Sequence, residues 1–224
     1  MQRGNGGDTR ARVLAAAAEL FAAHGFHGTT ARDIAARARV NLAAGNYHFG
    51  SKRDLYLEVL RGQFAEIRAL LARRGASKPP SEVQRMSRRG IEGLLQTRSQ
   101  AMLDLLIGPP PGLHGTLMQR EMTDPSEALP VIVDEFILPM MEEMKTILAP
   151  LAPNLAAVTI ERCVHSIMGQ ALFYRFVMPA MLRVLDRRTY PRGFARTLAK
   201  HITQFSLGGI DRLAAPQRRS HHAR

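Results

Sequence analysis

Tryptophan is absent from this 224-residue chain, and cysteine occurs once, as Cys163. A single cysteine cannot form an internal disulfide, so a secreted fold held together by disulfides is excluded. No apolar run approaches the roughly 20 residues that a membrane-spanning helix needs, and the N-terminal residues lack the apolar stretch of a secretory signal. These absences predict a globular, cytoplasmic protein that does not bind a membrane.

Acidic residues are also scarce: 31 Lys and Arg face 19 Asp and Glu, which gives a net charge of +12. The excess lies at the two ends of the chain. Residues 1–56 carry 8 basic and 4 acidic residues, residues 57–182 carry 13 of each, and residues 183–224 carry 10 and 2. Such an excess favours an anionic partner, but charge alone does not separate DNA, RNA and an anionic membrane.

Apolar residues recur at helical spacing almost throughout, and no alternating strand pattern is present. The spacing predicts a first helix that ends at Gly25, a second that begins at Thr30, a third over Asn41–Tyr47 and a fourth from Lys52 to Arg73 or Arg74. Prolines and glycines separate the later helices, which are predicted over residues 81–96, 99–107, 113–122, 127–149, 154–178 and 191–213. The predicted fold class is therefore all-α.

Residues 29–56 carry the functional signal, because two short helices there flank a tight turn. Thr30 with Asp33, and Ser51 with Asp54, have the spacing of a capping box, in which side chains satisfy unpaired backbone N–H groups at a helix start. The second helix of such a pair fits the DNA major groove. Taken alone, however, a helix pair of this kind is as often an ordinary helix corner.

The same stretch resembles the TetR family of transcriptional regulators. The residues that match the family pattern are Thr30, Ile34, Ala35, Ala38, Val40, Tyr47, His48, Phe49, Ser51, Lys52 and Leu55. This resemblance covers residues 9 to about 60. Farther along, Arg120-Glu121-Met122 with Pro125, and Gly169-Gln170 with Phe173-Tyr174-Arg175, resemble the CerR-type C-terminal domain of one branch of the family.

The resemblance implies a division into three parts. A three-helix DNA-binding domain with a helix-turn-helix is expected at residues 8–52, and a helical ligand-binding and dimerisation domain at residues 53–214. Residues 215–224 are expected to form a disordered basic tail. The implied function is that of a homodimeric repressor that leaves an inverted-repeat DNA operator when a small molecule binds, with no cofactor, metal or catalytic residue.

The resemblance also assigns DNA contacts residue by residue. The bases are contacted by Ala31, Arg32, Leu42, Ala43 and Asn46, and the phosphates by Thr30, Tyr47, His48 and Lys52. The chemistry agrees for Arg32, which matches guanine O6 and N7, and for Asn46, which matches adenine N6 and N7. Two residues depart from the family pattern. Arg39 stands where glycine is common, and a left-handed backbone there would cost roughly 1–2 kcal/mol; Gly45 replaces a large apolar residue of the recognition helix.

Methionines and aromatic residues are frequent in the predicted second domain, where they form either core or the lining of an adaptable pocket. We interpret one group as a pocket for a small apolar or aromatic effector: Met102, Met118, Glu121, Phe136, Met140, His165, Met168 and Phe173. Apolar residues over 159–180 span too wide an arc to be buried within one subunit. This arc predicts a dimer interface at Ile160, Val164, Ile167, Ala171 and Leu172.

Two other functions stay open at this point. An adaptor of the same fold, which binds a ligand or protein without specific DNA binding, would explain the apolar run Leu42–Ala44 and Gly45. An enzyme is disfavoured, because the HExxH, CxxC, GxSxG and phosphate-loop patterns are all absent. Cys163 and His165 lie two residues apart on a predicted helix and so face different sides, which argues against a shared metal or an activated thiol.

Overall fold

The computed structural model of the protein describes residues 5–41, 49–108 and 113–215. Regular structure in these ranges is entirely helical, which confirms the predicted all-α class. In chain order the helices are α1 (Asn5–His24), α2 (Ala31–Ala38), α3 (Lys52–Arg73), α4 (Pro80–Val83), α5 (Arg88–Ile107), α6 (Leu113–Thr123), α7 (Leu129–Ile132), a π-helix (Val133–Ile137), α8 (Leu138–Leu148), a 3-10 turn (Ala149–Leu151), α9 (Ala157–Phe176), α10 (Met178–Val184) and α11 (Phe194–Ala214). The predicted recognition helix, apart from Asn41, and residues 216–224 of the predicted tail lie outside the described residues.

The chain forms two compact units, and neither is a single stretch of sequence. The first unit contains residues 1–71 and 104–139, and the second contains residues 72–103 and 140–224. Of the DNA-binding domain that the sequence places at residues 8–52, the described helices α1 and α2 and the start of α3 therefore lie in the same unit as α6, α7 and the π-helix. Packing, rather than order along the chain, decides which helices belong with the region expected to bind DNA.

An aromatic cluster lies in the core of the first unit. Phe21 near the end of α1, Phe26 in the turn that follows, and Tyr56 in α3 are all buried. The rings of Phe21 and Tyr56 meet edge to face with centroids 4.7 Å apart, and Phe26 lies 5.1 Å from Tyr56. Leu55 and Phe49 are buried as well, so they are packing residues. Because aromatic rings bury large apolar areas, this cluster fixes α1 against α3.

Both predicted capping boxes are present. The Thr30 hydroxyl oxygen accepts from the Asp33 N–H at 3.1 Å, and the Asp33 carboxylate accepts from the hydroxyl and the N–H of Thr30 at 2.6 and 3.0 Å. Ser51 and Asp54 repeat this arrangement at the start of α3. These hydrogen bonds favour the ionised carboxylate, so the pKa of each aspartate lies below its usual value.

Two of the helix boundaries that differ from the sequence prediction have a clear local cause. α5 runs unbroken through residues 97–98; the break falls earlier, where the Ser87 hydroxyl accepts from the Gly90 N–H at 3.2 Å and so caps the new helix. α9 ends at Phe176 instead of continuing, because a proline inside a helix removes a hydrogen bond and clashes with the preceding turn. Pro179 lies instead in the first turn of α10, where its missing N–H costs nothing.

The second unit contains α9 packed along α11. Its buried residues on these two helices are Ile160, Cys163, Val164, Ile167, Arg175, Leu198, Ala199, Ile202, Thr203, Ser206 and Ile210. Arg98 on α5 is also buried, and its guanidinium lies 2.7 Å from the Glu143 carboxylate and donates to the Ala76 carbonyl at 3.1 Å. Arg98, at the position where the sequence predicted a break, therefore joins α5 to Ala76 and to Glu143 on α8.

Replacing Asp54 by asparagine removes the charge of the second capping box while keeping its shape. The lowered folded-state pKa means that the carboxylate stabilises the fold above the unfolded-state pKa of about 3.9, and that this stabilisation is lost as the pH falls through the folded-state pKa. We expect Asp54→Asn to lower the urea midpoint at pH 7, and the difference from wild type to narrow below about pH 4. The exposed Asp124→Asn is the control; a difference that does not change with pH would contradict the charge-dependent cap.

Candidate DNA interface

The N-terminus of α2 carries the first group of predicted DNA contacts. Thr30 and Arg32 are exposed there and Ala31 is half-buried, while the opposite face of the helix, formed by Ile34, Ala35 and Ala38, is buried. The Thr30 hydroxyl already donates to Asp33. Since the Asp33 carboxylate already occupies this helix start, the exposed guanidinium of Arg32 is the group there that suits a phosphate-rich partner.

Five predicted contacts, Leu42, Ala43, Asn46, Tyr47 and His48, lie outside the described residues, so their roles stay predictions. The chain is anchored directly after them. Phe49 is buried, and the Arg10 guanidinium lies over its ring at 5.1 Å from the centroid. Arg10 also pairs with Glu58 on α3. The segment expected to enter the major groove therefore ends at a fixed aromatic side chain.

Lys52 has an intramolecular role that the sequence did not predict. Its ammonium donates to the Phe26 and Thr29 carbonyls at 3.0 and 3.1 Å, and it lies 4.1 Å from the centroid of the Phe26 ring. These contacts tie the start of α3 to the loop that precedes α2. An ammonium has three N–H donors, so two carbonyls leave one donor for the predicted phosphate contact.

Arg12 on α1 holds the turn that follows α2. Its Nε and Nη2 donate to the Ala38 carbonyl at 3.1 and 2.8 Å, and Nη2 also donates to the Arg39 carbonyl at 2.7 Å. The backbone of Arg39 is left-handed, with φ 55° and ψ 48°, the conformation in which a residue other than glycine is costly. No residue type in the turn signals the contact with Arg12, because its acceptors are main-chain oxygens.

A second arginine holds the end of α1. Arg120 on α6 donates through Nε to the Ala22 carbonyl at 3.0 Å and through Nη2 to the Ala23 carbonyl. Next to it, a His27 ring nitrogen lies 3.3 Å from the Pro125 carbonyl oxygen. A helix C-terminus has unpaired carbonyls and favours a cation, so Arg120 supplies what α1 lacks there.

Glu121, the neighbour of Arg120, joins α6 to α3. Its buried carboxylate accepts from the Tyr56 hydroxyl at 2.8 Å and from the Ser126 N–H at 3.2 Å. Burial raises the pKa of Tyr56, so the hydroxyl keeps its proton and stays a donor. The Arg120-Glu121 motif thus fixes α6 on the two helices that flank α2.

The residues predicted to line an effector pocket fall into both units. Met118, Glu121 and Phe136 belong to the first, and Met102, Met140, His165, Met168 and Phe173 to the second. Phe136 is buried and stacks on Phe64 with centroids 4.1 Å apart, whereas His165 and Phe173 are exposed. Both carboxylate oxygens of Glu121 already have protein partners. The effector pocket stays a prediction.

The predicted dimer-interface residues lie on the inner side of α9. Ile160, Val164 and Ile167 are buried within the single chain, and Ala171 and Leu172 are half-buried. The first three are thus part of the core of one subunit, and an interface at these residues stays a prediction. The apolar surface that α9 does expose is at Phe173, and α11 exposes Phe205. Apolar periodicity identified a helix with two apolar sides, but not which side the subunit covers.

No cluster of His, Cys, Asp and Glu side chains within residues 5–41, 49–108 and 113–215 is suited to hold a metal ion. In the same part of the chain, no helix is long and apolar enough to cross a membrane. Cys163 is buried, and burial raises the pKa of its thiol. A raised pKa disfavours the reactive thiolate, so the structure gives this cysteine a packing role.

Two family models match this chain. Residues 13–59 match the bacterial regulatory proteins of the tetR family, and residues 91–210 match the C-terminal domain of the HTH-type transcriptional dual regulator CecR. The second match covers 120 of the 224 residues. The chain belongs to the TetR family. The CecR-type domain confirms the branch indicated by the Arg120-Glu121 motif.

Relatives of this TetR-family chain include the regulator CecR of Shigella flexneri, which is 29% identical over 150 residues. Those residues are 64% of this chain and 65% of that protein. A TetR-family regulator from Streptomyces coelicolor has a TM-score of 0.63 at 17% identity, covering 94% of this chain and 97% of its own. FadR from Bacillus subtilis, in complex with stearoyl-CoA, has a TM-score of 0.62 at 14% identity, covering 89% and 98%. At these identities the structural likeness shows the fold alone.

The contact between Tyr56 and Glu121 is testable by deleting one hydroxyl group. Tyr56→Phe leaves a buried carboxylate oxygen without its donor, so we expect the free energy of unfolding to fall by about 1–3 kcal/mol. Tyr190→Phe is the matched control, because its half-buried hydroxyl donates to the Tyr174 carbonyl at 2.9 Å and water can replace it. Urea denaturation measures both. Equal destabilisation of the two variants would contradict a special role for the Glu121 contact.

Proposed function

We propose that the chain is a sequence-specific DNA-binding transcriptional regulator that represses transcription as a homodimer and leaves its operator when a small molecule binds. The observation that carries the DNA-binding part is the capped N-terminus of α2, from which Arg32 projects, in a chain of the TetR family. The arginine suits a groove lined with phosphates, and the capping box fixes the helix that carries it. Such a regulator works in the cytoplasm, where bacterial DNA is found.

The proposed contacts divide into those that select bases and those that bind the backbone. Arg32 and Asn46 select bases through paired hydrogen bonds, while Ala31, Leu42 and Ala43 give apolar contacts. Tyr47, His48 and Lys52 bind phosphates, and Thr30 does so by exchanging the hydrogen bond from its hydroxyl to Asp33 for one to a phosphate oxygen. The carbonyl contacts of Lys52 support this role, because they hold the ammonium at the start of α3 before DNA arrives. One short helix contacts too few base pairs for useful specificity, so two subunits bind an inverted repeat.

The exposed sides of α9 and α11 are the proposed dimer interface. Phe173 is 51% exposed and Phe205 is 68% exposed in the single chain. Gly169 and Gly208 lie on the same two helices, and a Cβ added at either would meet open space. Small residues beside large aromatic ones allow two helices to approach closely while the rings are buried. The interface therefore covers aromatic surface that a monomer would leave in water.

Release from the operator is proposed to pass through the π-helix. Phe136, in that helix, stacks on Phe64 of α3, and Glu135 accepts two hydrogen bonds from Arg61 of α3 at 2.6 and 2.8 Å. π-helical turns are rare in proteins, and those that occur often lie at functional sites. A small apolar or aromatic effector that displaces Phe136 would move α3, whose first turn holds Lys52. The effector's chemical class follows from the methionines and aromatic residues of the predicted pocket.

Selection from a random DNA library, followed by binding measurements against salt, tests the DNA contacts. Arg32→Ala is expected to relax the preference at one base position per half-site, by about 1–3 kcal/mol of discrimination. Lys52→Ala is expected to weaken all sequences alike and to lower the salt slope by about 0.9 for each phosphate that is no longer neutralised. Enrichment of no sequence by the wild type would contradict the proposal and favour the adaptor function.

A charge placed on the proposed dimer interface tests the oligomer. Phe173→Asp and Phe205→Asp each bury an unpaired carboxylate if the helices pair, so we expect the dimer dissociation constant to rise by at least about tenfold. Sedimentation equilibrium measures it. Met122→Asp, at an exposed apolar residue of the first unit, is the control. An unchanged dissociation constant in both phenylalanine variants would place the interface elsewhere.

A further inference from the structure

We propose that Arg12 is a positioning residue for DNA binding, because it holds the left-handed turn at Arg39 from which the recognition segment, residues 41–47, departs. The inference rests on the proposed DNA-binding function and adds to it a residue that contacts neither base nor phosphate. Arg12 lies on α1, which precedes the two helices that flank the turn. Arg12 affects DNA binding only through the main chain of the turn, which leads into the recognition segment.

The geometry at the end of α2 shows what the turn requires. The N–H groups of Arg39 and Val40 donate back to the carbonyls of Ala36 and Ala35 at 3.1 and 3.0 Å. These bonds close the helix and leave the carbonyls of Ala38 and Arg39 beyond its last turn. The single guanidinium of Arg12 donates to both of these carbonyls. It thus joins the last residue of α2 to the first residue after it.

The turn needs this support because its backbone conformation is unfavourable. Among the described residues, only Arg39 and Asp186 combine a side chain with a positive φ. Aspartate tolerates the left-handed region because its short side chain can bond locally, and arginine has no such compensation. Without Arg12, the turn loses hydrogen bonds that stabilise the left-handed conformation at Arg39, so other conformations become more populated. The direction in which the recognition segment departs would then vary.

Arginine fits the position for a specific chemical reason. A guanidinium has N–H donors in a rigid planar fork, which matches two adjacent carbonyls, whereas a lysine ammonium is a point charge on a flexible stem. The side chain is 42% exposed, and its contact with Asp8 is long at 3.5 Å. Water therefore screens part of its energy, so its contribution to global stability is small. The main effect of removing it is expected in the turn.

The helix pair offers a matched control on the same two helices. Arg37 on α2 donates to the Glu19 carboxylate on α1 at 3.0 and 2.6 Å. This ion pair also links α1 to α2 through an exposed arginine, but it contacts no carbonyl of the turn. Arg37→Ala thus removes a charge and a link between the helices, while it leaves the turn at Arg39 held by Arg12.

A rescue experiment on specific operator binding tests the proposal. We expect Arg12→Ala to weaken binding to the selected operator by about fivefold to tenfold, with an unchanged salt slope, and Arg37→Ala to weaken it by less than about twofold. Arg39→Gly in the Arg12→Ala background is expected to restore most of the affinity, because glycine adopts a positive φ without strain. Arg39→Ala in the same background also removes the arginine side chain but keeps the backbone strain, so it is expected to restore no affinity.

Two results would overturn the proposal on DNA. A salt slope lowered by about 0.9 in Arg12→Ala would make Arg12 a phosphate contact. Equal behaviour of the glycine and alanine double variants would show that backbone strain at Arg39 has no part in binding. If the wild type selects no operator, the proposed function fails, and the positioning role fails with it.

Amide hydrogen exchange tests the turn without DNA. The exchange of the Arg39 and Val40 amides is expected to rise at least about fivefold in Arg12→Ala and to stay unchanged in Arg37→Ala, with the Ile34 amide unchanged in both. Equal exchange at Arg39 and Val40 in all variants would overturn the contact between Arg12 and the turn, whatever the result with DNA. Faster exchange with unchanged operator binding would leave a structural role and overturn the positioning role.

Discussion

The fold around the candidate DNA interface depends on the need of short helices for partners at their ends. A helix leaves about four N–H groups and four carbonyls unpaired, and α2 is only eight residues long. Thr30 and Asp33 satisfy its start, and Arg12 satisfies the residues at its end. The same requirement recurs at the end of α1, where Arg120 supplies the donors. Contacts at helix ends thus act together with the aromatic cluster of Phe21, Phe26 and Tyr56 in fixing the geometry of this region.

The composition of the first unit follows from the same requirement. Arg120 and Glu121 come from a helix more than sixty residues beyond the helix-turn-helix, yet they contact α1 and α3 through main-chain carbonyls and the Tyr56 hydroxyl. A motif that distinguishes one branch of the TetR family by its C-terminal domain therefore acts on its N-terminal helices. Glu121 contacts the same helix, α3, whose first turn holds Lys52.

Contacts between residues close in the sequence were largely predictable. Contacts between distant side chains and main-chain atoms were not. The capping boxes were predictable because both partners lie three residues apart, and the strain at the turn was predictable because Arg39 stands in place of a glycine. The contacts of Arg12 and Lys52 were not predictable, since carbonyl acceptors are common to every residue. The dimer interface predicted at Ile160 and its neighbours on α9 stays a prediction, because periodicity gives a helix face without saying what covers it.

Part of the positive charge of the N-terminal region is paired with carboxylates of the protein itself. Among the described basic residues of this region, four pair with carboxylates: Arg10 with Glu58, Arg12 with Asp8, Arg37 with Glu19 and Arg53 with Glu127. Long-range attraction to a polyanion depends on charge that is not locally compensated. The number of basic residues thus overstates how strongly this surface pulls DNA from a distance. Weak attraction to arbitrary DNA favours selectivity, because fewer regulator molecules are then held at the many non-specific sites of a genome.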